Sequence, residues 1–347
     1  MRRLPLLTAL LATAAALPLA VSAAPAQASV PTGGHDAART FAVIGDLPYG
    51  DADLAALPGW IRDINAATPQ FTLHLGDIKS GSSLCTTDYS TTIRAQFDTF
   101  TNPLVYTPGD NEWTDCHRPA AGTYNPLERL AEVRSIFFDR PGTTLGQKPM
   151  KVFSQVTRGL PENVTFARND ISFAALHVVG SNNDLVPWDG LGNTRTTYAQ
   201  RQEESHRMAA VLDEVRTTFA RAKAHGDRAV VLFQQADMFD PTFTPAPGDI
   251  SAFEPLVRTI TREASAFRGE TYLLNGDSHI ANPDHPLAAG SVWLQRYHVK
   301  GSADSLQRLT VNGSSNAHLD FLEATVNPEG AEHVLSFERV PYSTPAP

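Results

Sequence analysis

Cysteine is nearly absent: Cys85 and Cys116 are the only two in 347 residues, which leaves room for one disulfide at most. Positive charge is also short. Lys and Arg total 28 against 37 Asp and Glu, for a formal charge of −9, and they form no cluster. This argues against a nucleic-acid-binding surface, because counterion release needs grouped cations. Past the N-terminal region, no apolar run is long enough to cross a bilayer. The chain also has no internal repeat and no low-complexity block.

The N-terminus is different in kind. Met1-Arg2-Arg3 precedes an apolar stretch through Val21, interrupted by Pro18, and Ala26-Gln27-Ala28 forms a small-x-small cleavage pattern. Residues 1–28 therefore read as a secretory signal, through the general route rather than the twin-arginine one, and the mature protein is expected to be secreted. Residues 29–40 read as a flexible lead-in, and 41–343 as a single domain. Export makes a Cys85–Cys116 disulfide the expected state of the two cysteines.

What the chain does have is a recurrent block. Phe41-Ala-Val-Ile-Gly-Asp46, Phe71-Thr-Leu-His-Leu-Gly-Asp77 and Val105-Tyr-Thr-Pro-Gly-Asp110-Asn111-Glu112 each end a hydrophobic run in Gly-Asp, and Tyr272-Leu-Leu-Asn-Gly-Asp277-Ser278-His279 does so far downstream. Glycine permits a sharp exit from a buried strand, and the aspartate is left at the strand's carboxyl end, where open α/β sheets bind ligands. Carboxylates gathered there repel one another unless a cation lies between them, so the pattern predicts a metal site.

Strand and helix alternate from Phe41: strands to Ile44, at Phe71–Leu75 and at Leu104–Tyr106, with helices around Asp53–Ala66 and Thr91–Phe100. Asn125-Pro126 opens a helix carrying Leu127, Leu130, Val133 and Phe137. Phe166–Ala167 and Ile171–Val179 read as a hairpin turning at Asn169-Asp170. Ala199–Ala224 is the strongest helix, with Met208, Val211, Leu212, Val215 and Phe219 in one stripe. Arg228–Phe233 and Thr271–Leu274 read as buried strands around a helix near Phe253–Phe267. Strand-like segments at Ser291–Val299, Leu306–Val311, Leu319–Val326 and His333–Val340 suggest a second sheet built from the tail. The expected class is α/β, two packed mixed sheets flanked by helices.

Over about residues 41 to 280 the blocks resemble those of the calcineurin-like metallophosphoesterases, which read roughly Asp-x-His, Gly-Asp-x-x, Gly-Asn-His-Asp/Glu, a later-strand His and Gly-His-x-His. This chain departs from that pattern. Pro48 stands at the first His, Asp110-Asn111 replaces Asn-His, Gln234 or Gln235 replaces the later His, and Asp277 replaces the first His of the last block. The resemblance implies an αββα sandwich and a dinuclear centre that hydrolyses phosphomonoesters or phosphodiesters. Carried over by position, one divalent cation would be held by Asp46, Asp77 and His279, and the other by Asp77, Asp110, Gln234 and Asp277. The second set is all oxygen, which suits Mg²⁺, Ca²⁺ or Mn²⁺ better than Zn²⁺. Of the two glutamines only one can face the site, and Gln234 is taken.

Asn111 stands where the resemblance implies a phosphate-contacting, proton-donating His; an amide can hydrogen-bond a phosphoryl oxygen but is no general acid. His117 and Arg118, folded back by the disulfide, would supply a proton donor and a phosphate clamp. Tyr49 is a further oxygen ligand to consider, and Gly180–Asp184 a candidate for the mouth. His74, His177 and His298 sit in strand-like segments and read as packed residues. Two other readings exist: a serine hydrolase using Ser278 of Gly276-Asp277-Ser278, and a non-catalytic exported metal- or ligand-binding protein on the same fold.

Overall fold

The computed structural model describes residues 39–281, 283–316 and 319–343, so the expected signal segment and most of the lead-in lie outside the described residues. Among the described residues, eleven strands form two sheets. β1 (Thr40–Ile44), β2 (Thr72–His74) and β3 (Leu104–Tyr106) run parallel, and β10 (Asp320–Val326) and β11 (Leu335–Pro341) continue that sheet antiparallel on the β1 side. The second sheet runs β4 (Phe153–Gln155), β5 (Leu160–Arg168), β6 (Ile171–Ala175), β7 (Ala229–Phe233), β8 (Glu270–Asn275) and β9 (Leu306–Thr310), parallel from β6 onward.

Strand alternation explains the layers. Phe41 and Val43 of β1 face the second sheet, while Ala42 and Ile44 face helices. Between the sheets, Phe41 stacks on Phe71 with centroids 5.0 Å apart, and Phe166 on Phe173 at 4.7 Å. Such stacked pairs add about 0.5–1.5 kcal/mol beyond their burial. Outside the first sheet, Trp60, Ile61 and Ile64 of the helix Gly50–Ala67 join Phe97 of Thr87–Phe97 and Val133 and Phe137 of Pro126–Phe137. Outside the second, Met208, Val211, Val215 and Phe219 of Tyr198–His225 meet Val230 and Leu232 of β7. That helix starts on a Thr197/Gln200 capping box and stops at Gly226 in the left-handed region, φ 74°.

The β5–β6 hairpin turns at Asn169 and Asp170, both with positive φ, as a tight two-residue loop requires. The tail differs from the sequence reading. Ser291–Val299 is not a strand: the Ser291 hydroxyl caps a short helix, Val292–Arg296, and Trp293, Leu294 and Tyr297 are buried at helical spacing. β-favouring side chains there obscured a cap and an i, i+4 pattern. His298, expected to be packed, is exposed. The tail strands do not build their own sheet either; β9 joins the second sheet, whereas β10 and β11 close the first. β4 and the start of β5 belong to the second sheet as well, in a stretch where Pro161 weakens the strand pattern.

Candidate metal centre

The parallel strands of both sheets point their carboxyl ends to one edge. Asp46 follows β1, Asp77 β2, Asp110 β3, Gln235 β7 and Asp277 β8. Asp46, Asp77 and Asp277 take positive φ (55°, 56° and 73°), a conformation Asp tolerates better than most side chains. The glycines beside them are required by close approach. A Cβ on Gly109 would lie 2.0 Å from Asp77 Oδ1, and one on Gly276 would lie 2.2 Å from Asp46 Oδ2.

Four aspartates converge there. Oxygens of Asp77, Asp110 and Asp277 lie within 4.8 Å of one another. Asp46 joins them from the other side: the Asp277 N–H donates to its Oδ1 at 2.9 Å, and His279 Nε2 is 3.3 Å from the same oxygen. Asp46 Oδ2 is buried and has no hydrogen-bond partner among the described residues. The Tyr49 hydroxyl sits between Asp77 Oδ2 (3.3 Å), His279 Nε2 (3.4 Å) and the Asn111 amide, which donates to it at 3.2 Å.

The electrostatics follow from burial and crowding. Burial first, and then Asp110, Glu112 and Asp46, hold the Asp77 carboxyl well above the usual range. Asp110 is raised by burial and by Asp115 and Asp277, with Arg118 opposing. Burial and the charge of Asp46 push Asp277 up to about 7. At His279, burial would lower the imidazole, but its contact with Asp46 outweighs this and raises it. Anions that resist ionisation together are the surroundings a divalent cation stabilises. The orphaned Asp46 oxygen, and glycines leaving no room for a methyl group, fit a small cation with oxygen ligands.

Gln235, not Gln234, reaches the cluster. Gln235 shares the parity of Val231 and Phe233, which face between the sheets, and its amide donates to Asp77 Oδ2 at 3.1 Å and Asp110 Oδ1 at 2.9 Å. Gln234 follows Val230 and Leu232 toward the helices, and its amide donates to Ala236 O at 2.9 Å. Asn111 is at the site, its backbone N–H donating to Asp77 Oδ1 at 3.1 Å.

The disulfide forms as expected between Cys85 and Cys116, Cα atoms 5.8 Å apart, and ties the loop after β2 to the loop after β3. It does not bring His117 to the carboxylates. That imidazole is buried, with Nδ1 3.3 Å from both an Asp189 oxygen and the Gly190 N–H. Arg118 does reach the rim, half-exposed, its guanidinium 2.7 Å from Asp115. Ser181, in the loop Gly180–Asp184, lies at the site, its hydroxyl 2.8 Å from Asp115 Oδ1 and 3.2 Å from Asp110 Oδ2. Ser278 donates to Asp237 Oδ2 at 2.6 Å, so a carboxylate rather than an imidazole faces the hydroxyl that the serine-hydrolase reading needs.

Sequence reasoning passed over three residues. Lys79, two positions after Asp77, is buried; burial lowers its ammonium, while Glu112, Asp77, Asp115 and Asp110 oppose that. Asp115 holds Arg118. Asp237 donates its N–H to Asp277 Oδ2 at 3.2 Å and is itself held by the buried Arg308. A charged residue at a strand end was the available signal for Lys79; the others are set by tertiary contacts.

No protein-family model matches the sequence, and no curated protein does. Solved structures similar in chain course include phosphatases. A dimetal phosphatase from Danio rerio is 11% identical, with 88% of this chain and 99% of that one covered and a TM-score of 0.49. A purple acid phosphatase from yellow lupin seeds is 11% identical, with 87% and 51% covered and a TM-score of 0.44. GAP50, the anchor in the inner membrane complex of Plasmodium, is 8% identical, with 88% and 89% covered and a TM-score of 0.43. At that level of likeness, function has to be read from this chain's own side chains. Among the described residues no helix is long and apolar enough to cross a membrane.

Proposed function

We propose that this chain is a divergent metallophosphoesterase, a divalent-cation-dependent hydrolase of phosphomonoesters or phosphodiesters acting outside the cytoplasm. The observation that carries this is the convergence of Asp77, Asp110 and Asp277 from the strand ends of two sheets, with Asp46 beside them and one of its buried oxygens without a partner among the described residues. Asp77, Asp110 and Asp277 are the residues that would hold the cation, with Asp46 and His279 beside them. A cation bound there supplies Lewis acidity toward a phosphoryl oxygen and toward water.

The chain's own groups do the rest. Arg118, fixed by Asp115 and half-exposed at the rim, offers donors to phosphoryl oxygens. The Asn111 amide and Tyr49 hydroxyl orient one another at 3.2 Å and line the same mouth. Burial and the surrounding carboxylates raise the Tyr49 phenol, so it keeps its proton. With Asn111 unable to protonate a leaving group and His117 turned away, esters of acidic alcohols should be preferred. The disulfide supports an exported protein.

The test is turnover of p-nitrophenyl and bis-p-nitrophenyl phosphate by chelator-treated protein, with and without Mn²⁺ or Mg²⁺. Hydrolysis should return with the cation, and alkyl phosphates should be slower by about 10²-fold, the scale of a missing general acid. No hydrolysis with any divalent cation would contradict the hydrolase. Phenyl acetate cleavage that survives chelation and disappears in Ser278→Ala would establish the serine hydrolase instead. The missing imidazoles favour a second reading, a non-catalytic metal-binding protein, which predicts cation binding without turnover.

A further inference from the structure

The two long edges of the sandwich are closed to different degrees. At the edge formed by β3 and β4, Met150 and Val152 pack into the apolar space between the sheets, and about 20 Å³ is left open. At the opposite edge, formed by β11 and β9, a cavity of about 680 Å³ remains. That lies within the roughly 300–1,000 Å³ of small-molecule sites. Its floor is the inter-sheet core itself, through Leu309 of β9, Leu322 of β10 and Leu335 of β11. Gln307 shares the strand parity of Leu309 and also lines the cavity; it is half-buried, and its amide has no hydrogen-bond partner among the described residues. An apolar hollow with an unused amide in its wall has the make-up of a ligand site.

The two ends of the cavity differ in charge. Glu270, Asp304 and Glu332 line it where β8 and β9 begin, and the Thr271 N–H, donating to Ser305 O at 3.3 Å, joins those two strand starts. Glu270 also accepts from the Val334 N–H at 2.7 Å, and His333 Nδ1 lies 2.9 Å from its Oε1, which keeps the segment carrying Glu332 beside it. The Tyr272 hydroxyl donates to Glu270, and the Tyr272 ring meets that of Phe337 with centroids 5.6 Å apart; both residues line the cavity. Carboxylates beside aromatic rings attract organic cations, by charge and by the ring quadrupole. Arg339 stands toward the other end, in register with Leu322, and pairs with Asp320 at 3.5 Å.

We propose that this cavity binds an organic cation on an apolar body, an amine or quaternary ammonium carrying an alkyl or aryl tail. The head lies at Glu270, Asp304 and Glu332 against the Tyr272 and Phe337 rings, and the tail runs over Leu309 and Leu322. An anionic amphiphile would meet three carboxylates at one end and a guanidinium already paired with Asp320 at the other. None of these residues belongs to the aspartate cluster, so the site stands or falls apart from the hydrolase reading.

Isothermal titration with three amphiphiles of equal tail tests this: decyltrimethylammonium bromide, decyl glucoside and sodium decyl sulfate, each below its critical micelle concentration and at pH 8.5, above the ordinary range of the His333 imidazole. One decyltrimethylammonium should bind per chain, with decyl glucoside about fivefold weaker, the scale of one exposed ion pair, and decyl sulfate weaker again. Binding should persist in EDTA and in Asp77→Asn, which separates it from the metal centre. Gln307→Trp, which fills the cavity, should abolish it in protein that circular dichroism shows to be folded. Phe337→Ala, a change at a half-buried edge position, should weaken the ammonium about fivefold and the glucoside little. No saturable binding, equal or tighter binding of decyl sulfate, or a folded Gln307→Trp that binds as the unmodified chain does would each overturn the proposal. Loss of binding in EDTA would overturn it as well, by returning the ligand to the metal centre.

Discussion

Three strands of the first sheet lead into a glycine and an aspartate, whereas in the second sheet β8 alone does so, β7 ending in an amide and β6 in the segment Gly180–Asp184. The first sheet gathers negative charge; the second supplies much of what holds it. Gln235, the Asp237 N–H and the Ser181 hydroxyl all reach aspartates of the cluster. These donors are themselves fixed by buried charge. Arg308, fully buried, pairs with Asp237 and Asp284, and Arg207, also fully buried, donates to the carbonyl oxygens of His177 and Asn183 around the loop. The chemistry therefore lies largely on one sheet and its support on the other.

The sharpest break of that division is Asp77→Asn on the first sheet. It removes a carboxylate that lies with those of Asp110 and Asp277 and accepts from Gln235 and Asn111, and turnover should fall by about 10³-fold while the fold persists; turnover within tenfold of the unmodified protein would remove Asp77 from the centre. On the second sheet, Arg308→Met leaves Asp237 buried and unpaired, which should destabilise the chain by about 3–5 kcal/mol in denaturant melts. A loss below 1 kcal/mol would mean that the Asp237–Arg308 pair does not brace the Asp277 turn.

The disulfide belongs to the first sheet's loops. Replacing both Cys85 and Cys116 by Ser reopens a loop with a sequence separation of 31. The chain-entropy relation gives a cost of about 3–4 kcal/mol, read as a lowered denaturant midpoint. An unchanged midpoint would show that the two site loops are held by their packing alone.

The mildest effect is a pH slope from behind the second sheet. Glu214, on the helix Tyr198–His225, has a buried oxygen without a partner among the described residues, and burial pushes its carboxyl up to about 8. Below the unfolded value of about 4.3 both states hold the proton; as pH rises to 8 the unfolded chain releases it first, so stability falls across that window. Glu214→Gln should narrow the melting-temperature gap between pH 5 and pH 8.5 by a few degrees. An unaltered gap would assign the slope to the aspartate cluster alone.

The three Gly-Asp blocks were legible because each is local: a hydrophobic run, a glycine exit and an acid at the end. Asp277 and His279 were legible for the same reason. Gln235 could have been chosen over Gln234 by extending the alternation of β7 from Phe233, but that requires knowing which face of the strand meets the other sheet. The direction of His117 is set by Asp189 and Gly190, about seventy residues away, and no local signal carries it. The two-sheet class followed from alternating strands and helices, yet the placement of β9, β10 and β11 did not, since adding a strand to either sheet buries the same apolar faces.

Anomalous diffraction from crystals grown with Mn²⁺ tests the central claim most directly. A peak should stand among Asp77, Asp110 and Asp277, with carboxylate oxygens about 2.0–2.3 Å away. A map with no peak at the strand ends, at Mn²⁺ concentrations that fill surface sites, would show that these carboxylates are not a metal centre.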